Sequence, residues 1–211
     1  SYFRYETHLA AMKGLEVYEE VAKEFAIKFG RTHDAIEAYR CEDADIVFVM
    51  MGSFATKARE AVDCLREAGQ NIGLVRPRLL RPFPGAAIAE LLAGKQGVVV
   101  IDQNLSMGHG GVLYHELTAS LYGRAGAPAV ITSFIGGLGG RDISAEEFYQ
   151  MVDITRQAIA TGDTPPPRLL YTENELREIR KLQAIAQVER AEISPAVQPN
   201  DQVNDQGVPR D

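Results

Sequence analysis

Two glycine-rich loops hold the residue types best placed for chemistry. FIGGLGGRDIS (134–144) sets Gly136, Gly137, Gly139 and Gly140 within five positions and follows them with Arg141 and Asp142. A glycine run between a strand and a helix could cradle a phosphate. The dinucleotide fingerprint G-x-G-x-x-G needs three glycines at fixed spacing. Gly137 and Gly139 match the first two, but the third position is Asp142, whose carboxylate would repel a pyrophosphate. A P-loop also fails: no Lys-Ser/Thr pair is present, and Ala89 stands where Gly94-Lys95 would require the first glycine. Glycines after a strand can still form an anion nest, and Arg141 could grip a carboxylate or phosphate. The favoured reading is a tight backbone corner that presents Arg141 and Asp142 to a neighbouring domain or subunit.

The second loop is GHGG (108–111). Its His109 could act as a general acid or base, since imidazole titrates near pH 6.5. No Ser or Cys nucleophile with a supporting acid accompanies it, so an exposed or interface histidine is expected. His115, one turn into the next helix, is read as packed. His8 and His33 lack metal-ligand spacing. Asp102 ends a strand, where open α/β sheets place functional groups, or it caps a turn with Asn104. Arg76, Arg78 and Arg81 alternate with Pro77, Pro82 and Pro84 in a rigid basic stretch. Such a stretch suits an interface with acidic neighbours, anchored by Leu79, Leu80 and Phe83. Cys41 and Cys64, the two cysteines, lie too far apart in sequence for a cluster-ligand pattern or a disulfide framework. The residues alone therefore assign no catalytic, cofactor-binding or metal-binding set. The candidate interface residues are Arg78, Arg81, Phe83, His109, Arg141 and Asp142.

The elements that must position these groups follow from periodicity. Met12, Leu15, Tyr18, Val21, Ala22, Phe25 and Phe29 predict a helix over 8–29 ended by Gly30, then a loop to Ala44. Apolar runs at 45–51, 71–75, 97–102 and 127–135 predict four strands. Helices are expected at 53–69 with Ser53 as N-cap, at 85–94, at 111–122, and at 145–160 with a Ser144/Glu147 capping box. This β-α alternation predicts an α/β three-layer sandwich with a mostly parallel sheet over 43–162. Residues 1–42 are read as an N-terminal helix and connector, and 163–211 as a proline linker, helix and polar tail. TGDTPPPR (161–168) reads as a stiff linker. A last helix, 173–190, carries Leu176, Ile179, Leu182, Ile185 and Val188 in one stripe, with Thr172 and Glu175 at its start. The tail beyond it is expected to be disordered or extended.

Composition narrows the functional classes. A net charge of −7 argues against nucleic acid or an anionic membrane as partner. No apolar run approaches the roughly 20 residues of a membrane span. No secretory leader pattern is present, and a reducing cytoplasm is expected. The sequence begins with Ser rather than Met and is read as a piece of something longer.

Several stretches occur in one order: FAIKFGR (25–31), EAYRCEDADIVFVMMGS (37–53), GLVRPRLLRPFP (73–84), VVVIDQNLSMGHGG (98–111) and FIGGLGGRDIS (134–144). Together they resemble the C-terminal part of the alpha subunit of pyruvate:ferredoxin oxidoreductases and related 2-oxoacid:acceptor oxidoreductases, over about residues 5–165. The arginine before PFP, Arg81, is similar to the pyruvate-type subunits. The resemblance implies a transketolase C-terminal-like domain that follows a pyrimidine-binding domain lying upstream of residue 1. It implies a complex that oxidatively decarboxylates a 2-oxoacid with coenzyme A and passes electrons through iron–sulfur clusters to ferredoxin or flavodoxin. Thiamine diphosphate, Mg²⁺, the clusters and CoA are expected in that complex and none on this chain alone, which lacks the G-D-G…N motif. The implied partners are the pyrimidine-binding, diphosphate-binding and iron–sulfur domains or subunits, and the implied role is architectural. A free-standing α/β module that binds a nucleotide or CoA is the alternative, and an assembly protein unconnected with catalysis is a third reading.

Overall fold

The computed structural model describes residues 1–193, with side chains described to residue 190. The sequence reading of the tail lies outside the described residues. The chain divides into two compact units, Ser1–Leu170 and Tyr171–Asp211.

In the first unit the apolar runs become strands and the amphipathic segments become helices. The order is α1 (Tyr2–Phe29), β1 (Ile36–Tyr39), β2 (Ile46–Met50), α2 (Ala55–Glu67), β3 (Ile72–Pro77), α3 (Gly85–Leu92), β4 (Gly97–Asp102), α4 (Val112–Leu121), β5 (Val130–Ile135), a 3₁₀ turn (Leu138–Gly140), α5 (Ala145–Thr161) and β6 (Arg168–Leu169). The strands form one sheet in the order β1-β3-β2-β4-β5-β6. All neighbours pair in parallel except β1, which runs antiparallel to β3.

Alternate residues of each central strand feed opposite cores, as a period of two requires. Ile46, Phe48, Met50, Ile72, Leu74, Val99, Ile101 and Phe134 face α2 and α5. Val47, Val49, Val75, Val98 and Val100 face α3 and α4. This covering on both faces is why the central strands read as unbroken apolar runs. Thr132 and Thr155, both fully buried, share one hydroxyl–hydroxyl hydrogen bond at 2.7 Å between β5 and α5.

Several boundaries differ from the sequence reading. Helix α1 begins at Tyr2, six residues before the expected start, because its first turns contain no glycine or proline to stop it. Gly30 ends it as expected, with φ 66° and its N–H donating to Ala26 O. The expected loop to Ala44 contains β1, four residues too short to show a period and held by pairing with β3. The last residue of the expected linker, Arg168, opens β6, two residues that pair with Phe134 and Ile135 of β5. The sheet therefore draws on residues on both sides of 43–162. Ser53 does not cap α2: the cap position is Phe54, with no side-chain hydrogen bond. The Ser144/Glu147 capping box forms in full at α5.

The second unit contains α6 (Glu173–Ile193). Thr172 and Glu175 cap its start reciprocally: Glu175 N–H donates to Thr172 Oγ1 at 3.3 Å, and Thr172 N–H to Glu175 Oε2 at 2.6 Å. Leu182, Ile185 and Val188 of its stripe are exposed.

Candidate functional site at the carboxyl edge of the sheet

Strand order reverses beside β2. Its chain neighbour β3 lies on one side, and β4, reached through α3, lies on the other. Open α/β sheets bind ligands outside the carboxyl ends of strands at such a reversal. The loops after β2, β4 and β5 meet there, and they bring two side chains, Gln103 and Phe54, against glycines. A Cβ on Gly52 would fall 2.9 Å from Gln103 Oε1, and one on Gly137 would fall 3.4 Å from Gln103 Nε2 and 3.0 Å from Phe54 Cε2. Both glycines have positive φ, 82° and 76°. The glycines thus leave room for the Gln103 amide and the Phe54 ring, which pack against these loops. Gln103 was missed by sequence reasoning; its only signal was its place directly after the strand-ending Asp102.

The glycine loop spends its backbone donors on itself. Gly140 N–H donates to Gly137 O and Arg141 N–H to Leu138 O, both at 3.3 Å, as the 3₁₀ turn closes. Donors used this way do not line a phosphate cradle. Arg141 folds back on α5: its Nη2 donates to Glu147 Oε1 at 2.8 Å and its Nη1 to Glu147 Oε2 at 3.3 Å. Asp142 accepts from Lys57 of α2 and, at 3.0 Å, from Ile143 N–H. Hydrogen bonding from Lys57 holds the Asp142 carboxyl below its ordinary range. The loop is a tight corner, but Arg141 and Asp142, expected to face a neighbouring domain or subunit, are each partnered within the chain. Glu147 was legible as half of a capping box, but its pairing with Arg141 depends on the chain doubling back.

Asp102 is 1% exposed and fills a structural role at the next corner. Its Oδ1 accepts from Leu113 N–H at 2.8 Å and Asn104 Nδ2 at 3.1 Å, and its Oδ2 from Tyr114 N–H at 3.1 Å. The carboxylate therefore caps the first turn of α4 from the end of β4, where a helix N-terminus favours negative charge. Burial nevertheless raises its pKa above the usual carboxylate value, against the pull of these donors. Between the unfolded value near 3.9 and the raised folded value, the native state binds the extra proton. This stabilising contribution is present below the unfolded value and is lost as pH rises through the folded one. We expect the stability of the wild type to rise relative to Asp102→Asn when urea unfolding at pH 7 is repeated at progressively lower pH. A gap that stays constant or moves the other way would contradict the burial argument.

His109 and His115 stack, with ring centroids 3.7 Å apart and planes 11° from parallel. His115 Nδ1 lies 2.6 Å from Gly111 O. A carbonyl can only accept, so Nδ1 carries the proton. Arg81 reaches Glu116 at 2.5 Å and Leu80 O at 2.7 Å. Phe83 packs half-buried against the α3–α4 core. Arg78 binds Glu37 at 2.7 Å on the β1 edge. The six candidate residues therefore spread along one edge of the sheet rather than converge on one point.

Among the described residues no group of three or more His, Cys, Asp and Glu could hold a metal ion. Cys41 is buried beneath β3, where burial raises its thiol pKa, and Cys64 lies exposed on α2. One buried and one exposed thiol do not fit an iron–sulfur cluster, which takes several cysteine ligands together. Among the described residues no helix is long and apolar enough to cross a membrane.

The chain is similar to known proteins. Residues 44–148 match the family model for the pyruvate:ferredoxin oxidoreductase core domain II. The chain is 39% identical to the pyruvate synthase subunit PorA of Methanothermobacter thermautotrophicus over 71% of its own length and 38% of that protein. It is 40% identical to PorA of Thermotoga maritima over 69% of itself and 37% of that protein. It is 35% identical to the ketoisovalerate oxidoreductase subunit VorA of Pyrococcus horikoshii over 76% of itself and 41% of that protein. The chain thus spans about two fifths of the length of the curated relatives it matches. Through its core domain II, the chain belongs to the pyruvate:ferredoxin oxidoreductase family.

Proposed function

We propose that this chain is a structural and interface-forming domain of a thiamine diphosphate-dependent 2-oxoacid oxidoreductase complex of the pyruvate type, working in the cytoplasm. The complex would oxidatively decarboxylate its 2-oxoacid with CoA and pass the electrons through iron–sulfur clusters to ferredoxin or flavodoxin. The observation that carries the reading is the core domain II match over residues 44–148, joined to 39–40% identity with two pyruvate synthase subunits. The chemistry of the edge agrees with it. Asp102 caps a helix, Arg141 and Asp142 are locked to Glu147 and Lys57, and Gln103 and Phe54 pack against the glycines of the neighbouring loops.

The role proposed for the chain is to hold the domains that carry thiamine diphosphate, Mg²⁺ and the clusters. Its interface would run along the edge marked by Arg78, Arg81, Phe83, His109, Arg141 and Asp142. Arg141 is a poor single probe of that interface, because its removal also unlocks α5. Arg81, 63% exposed and bound only at the surface, separates the two effects. Arg81→Glu should weaken assembly about tenfold or more and cost the isolated domain less than about 1 kcal/mol, as for an exposed ion pair. An equal loss in melting temperature and assembly would contradict the interface role.

The function is tested with the assembly purified through this chain. We expect reduction of a low-potential acceptor that depends on both pyruvate and CoA, and none from the chain alone. Activity of the isolated chain, or a thermal shift of it with CoA or ATP, would favour the binding-module reading instead.

A further inference from the structure

At the β1 edge of the sheet one carboxylate serves three guanidinium groups. Glu37 Oε1 accepts from Arg59 Nη1 of α2 at 3.2 Å; its Oε2 accepts from Arg78 Nη2 at 2.7 Å and from Arg76 Nη1 at 3.5 Å. The fold brings them together. Glu37 stands opposite Arg76 in the antiparallel register, and Arg78 comes two residues later, on the same face. Beside them the Tyr39 ring lies 4.4 Å from the Arg59 guanidinium and 5.6 Å from that of Arg40. Arg40 pairs with Asp63 at 3.2 Å, and Asp63 also accepts from Tyr39 Oη at 2.8 Å. Four arginines therefore share two carboxylates, in a chain whose net charge is −7.

Donors exceed acceptors here. A guanidinium offers five N–H groups, whereas one carboxylate has about four lone-pair positions. Arg59, Arg76 and Arg78 each give Glu37 a single Nη, and none reaches the paired fork geometry that makes an arginine–carboxylate contact strong. The deficit surfaces at Arg78 Nε, which is buried with no hydrogen-bond acceptor. An arrangement meant only to satisfy itself would match its arginines with acids.

We propose that this acceptor-poor cluster receives a carboxylate side chain from another polypeptide of the assembly. The proposal rests on the reading that the chain works within a complex. A protein carboxylate fits better than a small oxyanion because the cluster lies on an open edge strand. Arg40, Arg59 and Asp63 are 47%, 46% and 43% exposed, whereas small ligands take concave sites. A facing Asp or Glu would occupy the unused Nη groups of Arg59 and Arg76.

The test uses the full chain in its purified assembly. Arg59→Lys keeps the charge and supplies an amine that carbodiimide couples to a neighbouring carboxylate. Mass spectrometry should find a link from position 59 to an Asp or Glu of another polypeptide, beside any link to Glu37. In parallel, Arg59→Glu should weaken assembly about tenfold or more. If the thiamine diphosphate-binding subunit is present and position 59 couples to Glu37 alone, the proposal fails and the functional reading stands. If no such subunit accompanies the chain, the functional reading fails. Saturable binding of inorganic phosphate to the chain, lost in Arg59→Glu, would overturn the proposal by assigning the cluster to a small anion.

Discussion

Gly111→Ala is expected to cost at least about 3 kcal/mol of stability and to loosen the whole β4–α4 corner. The reason is space, not backbone freedom. Gly111 has φ −77°, which any residue adopts. A Cβ there would fall 2.5 Å from Asp102 Cβ and closer still to its carboxyl carbon and Oδ2. None of these atoms is the free end of a flexible chain, because the carboxylate is held by Leu113, Tyr114 and Asn104. Relief requires moving Asp102, which would leave buried helix N–H groups unsatisfied at about 1–3 kcal/mol each. Gly139 makes the useful contrast. Its φ is 66°, but nothing lies within 4 Å of an added Cβ. Gly139→Ala should therefore cost about 1 kcal/mol, as for alanine in the left-handed region. Urea unfolding of both variants checks the difference; equal losses would mean that the Asp102 cap gives way easily.

Phe148→Ala is expected to cost about 3–5 kcal/mol, in the range for truncating a buried aromatic. Phe148 is 1% exposed, and its ring meets Phe48 edge to face with centroids 5.6 Å apart. The pair joins the first turns of α5 to the centre of β2, which is fully buried and cannot shift to fill a void. The same helix start carries the Ser144/Glu147 box and the Arg141 lock, so the α5 end of the glycine corner should loosen with it. Faster hydrogen exchange at residues 141–148 would show this, and a stability loss below about 1 kcal/mol would mean that the helix rests on its caps.

The central layers were legible because both faces of β2 and β4 are covered. Val47 to Val49 and Val98 to Ile101 are apolar at every position, so those strands announce themselves without knowledge of their neighbours. β1 and β6 were not legible. Ile36–Tyr39 and Arg168–Leu169 are strands only because β3 and β5 offer them backbone partners. At the edge, sequence placed the glycine corner and the α5 cap correctly because both are local. It could not show Lys57 meeting Asp142 across 85 positions, Arg59 meeting Glu37 across 22, or Gln103 between two glycines from different loops. Those meetings are consequences of topology. The family resemblance, carried by RPFP and GLGGRDI, supplied the functional proposal that no local cluster of side chains could.

The most direct measurement is the native mass of the assembly purified through this chain, with every accompanying polypeptide identified. A thiamine diphosphate-binding subunit and an iron–sulfur subunit in fixed ratio to this chain are expected. A folded monomer or a simple homo-oligomer would contradict it.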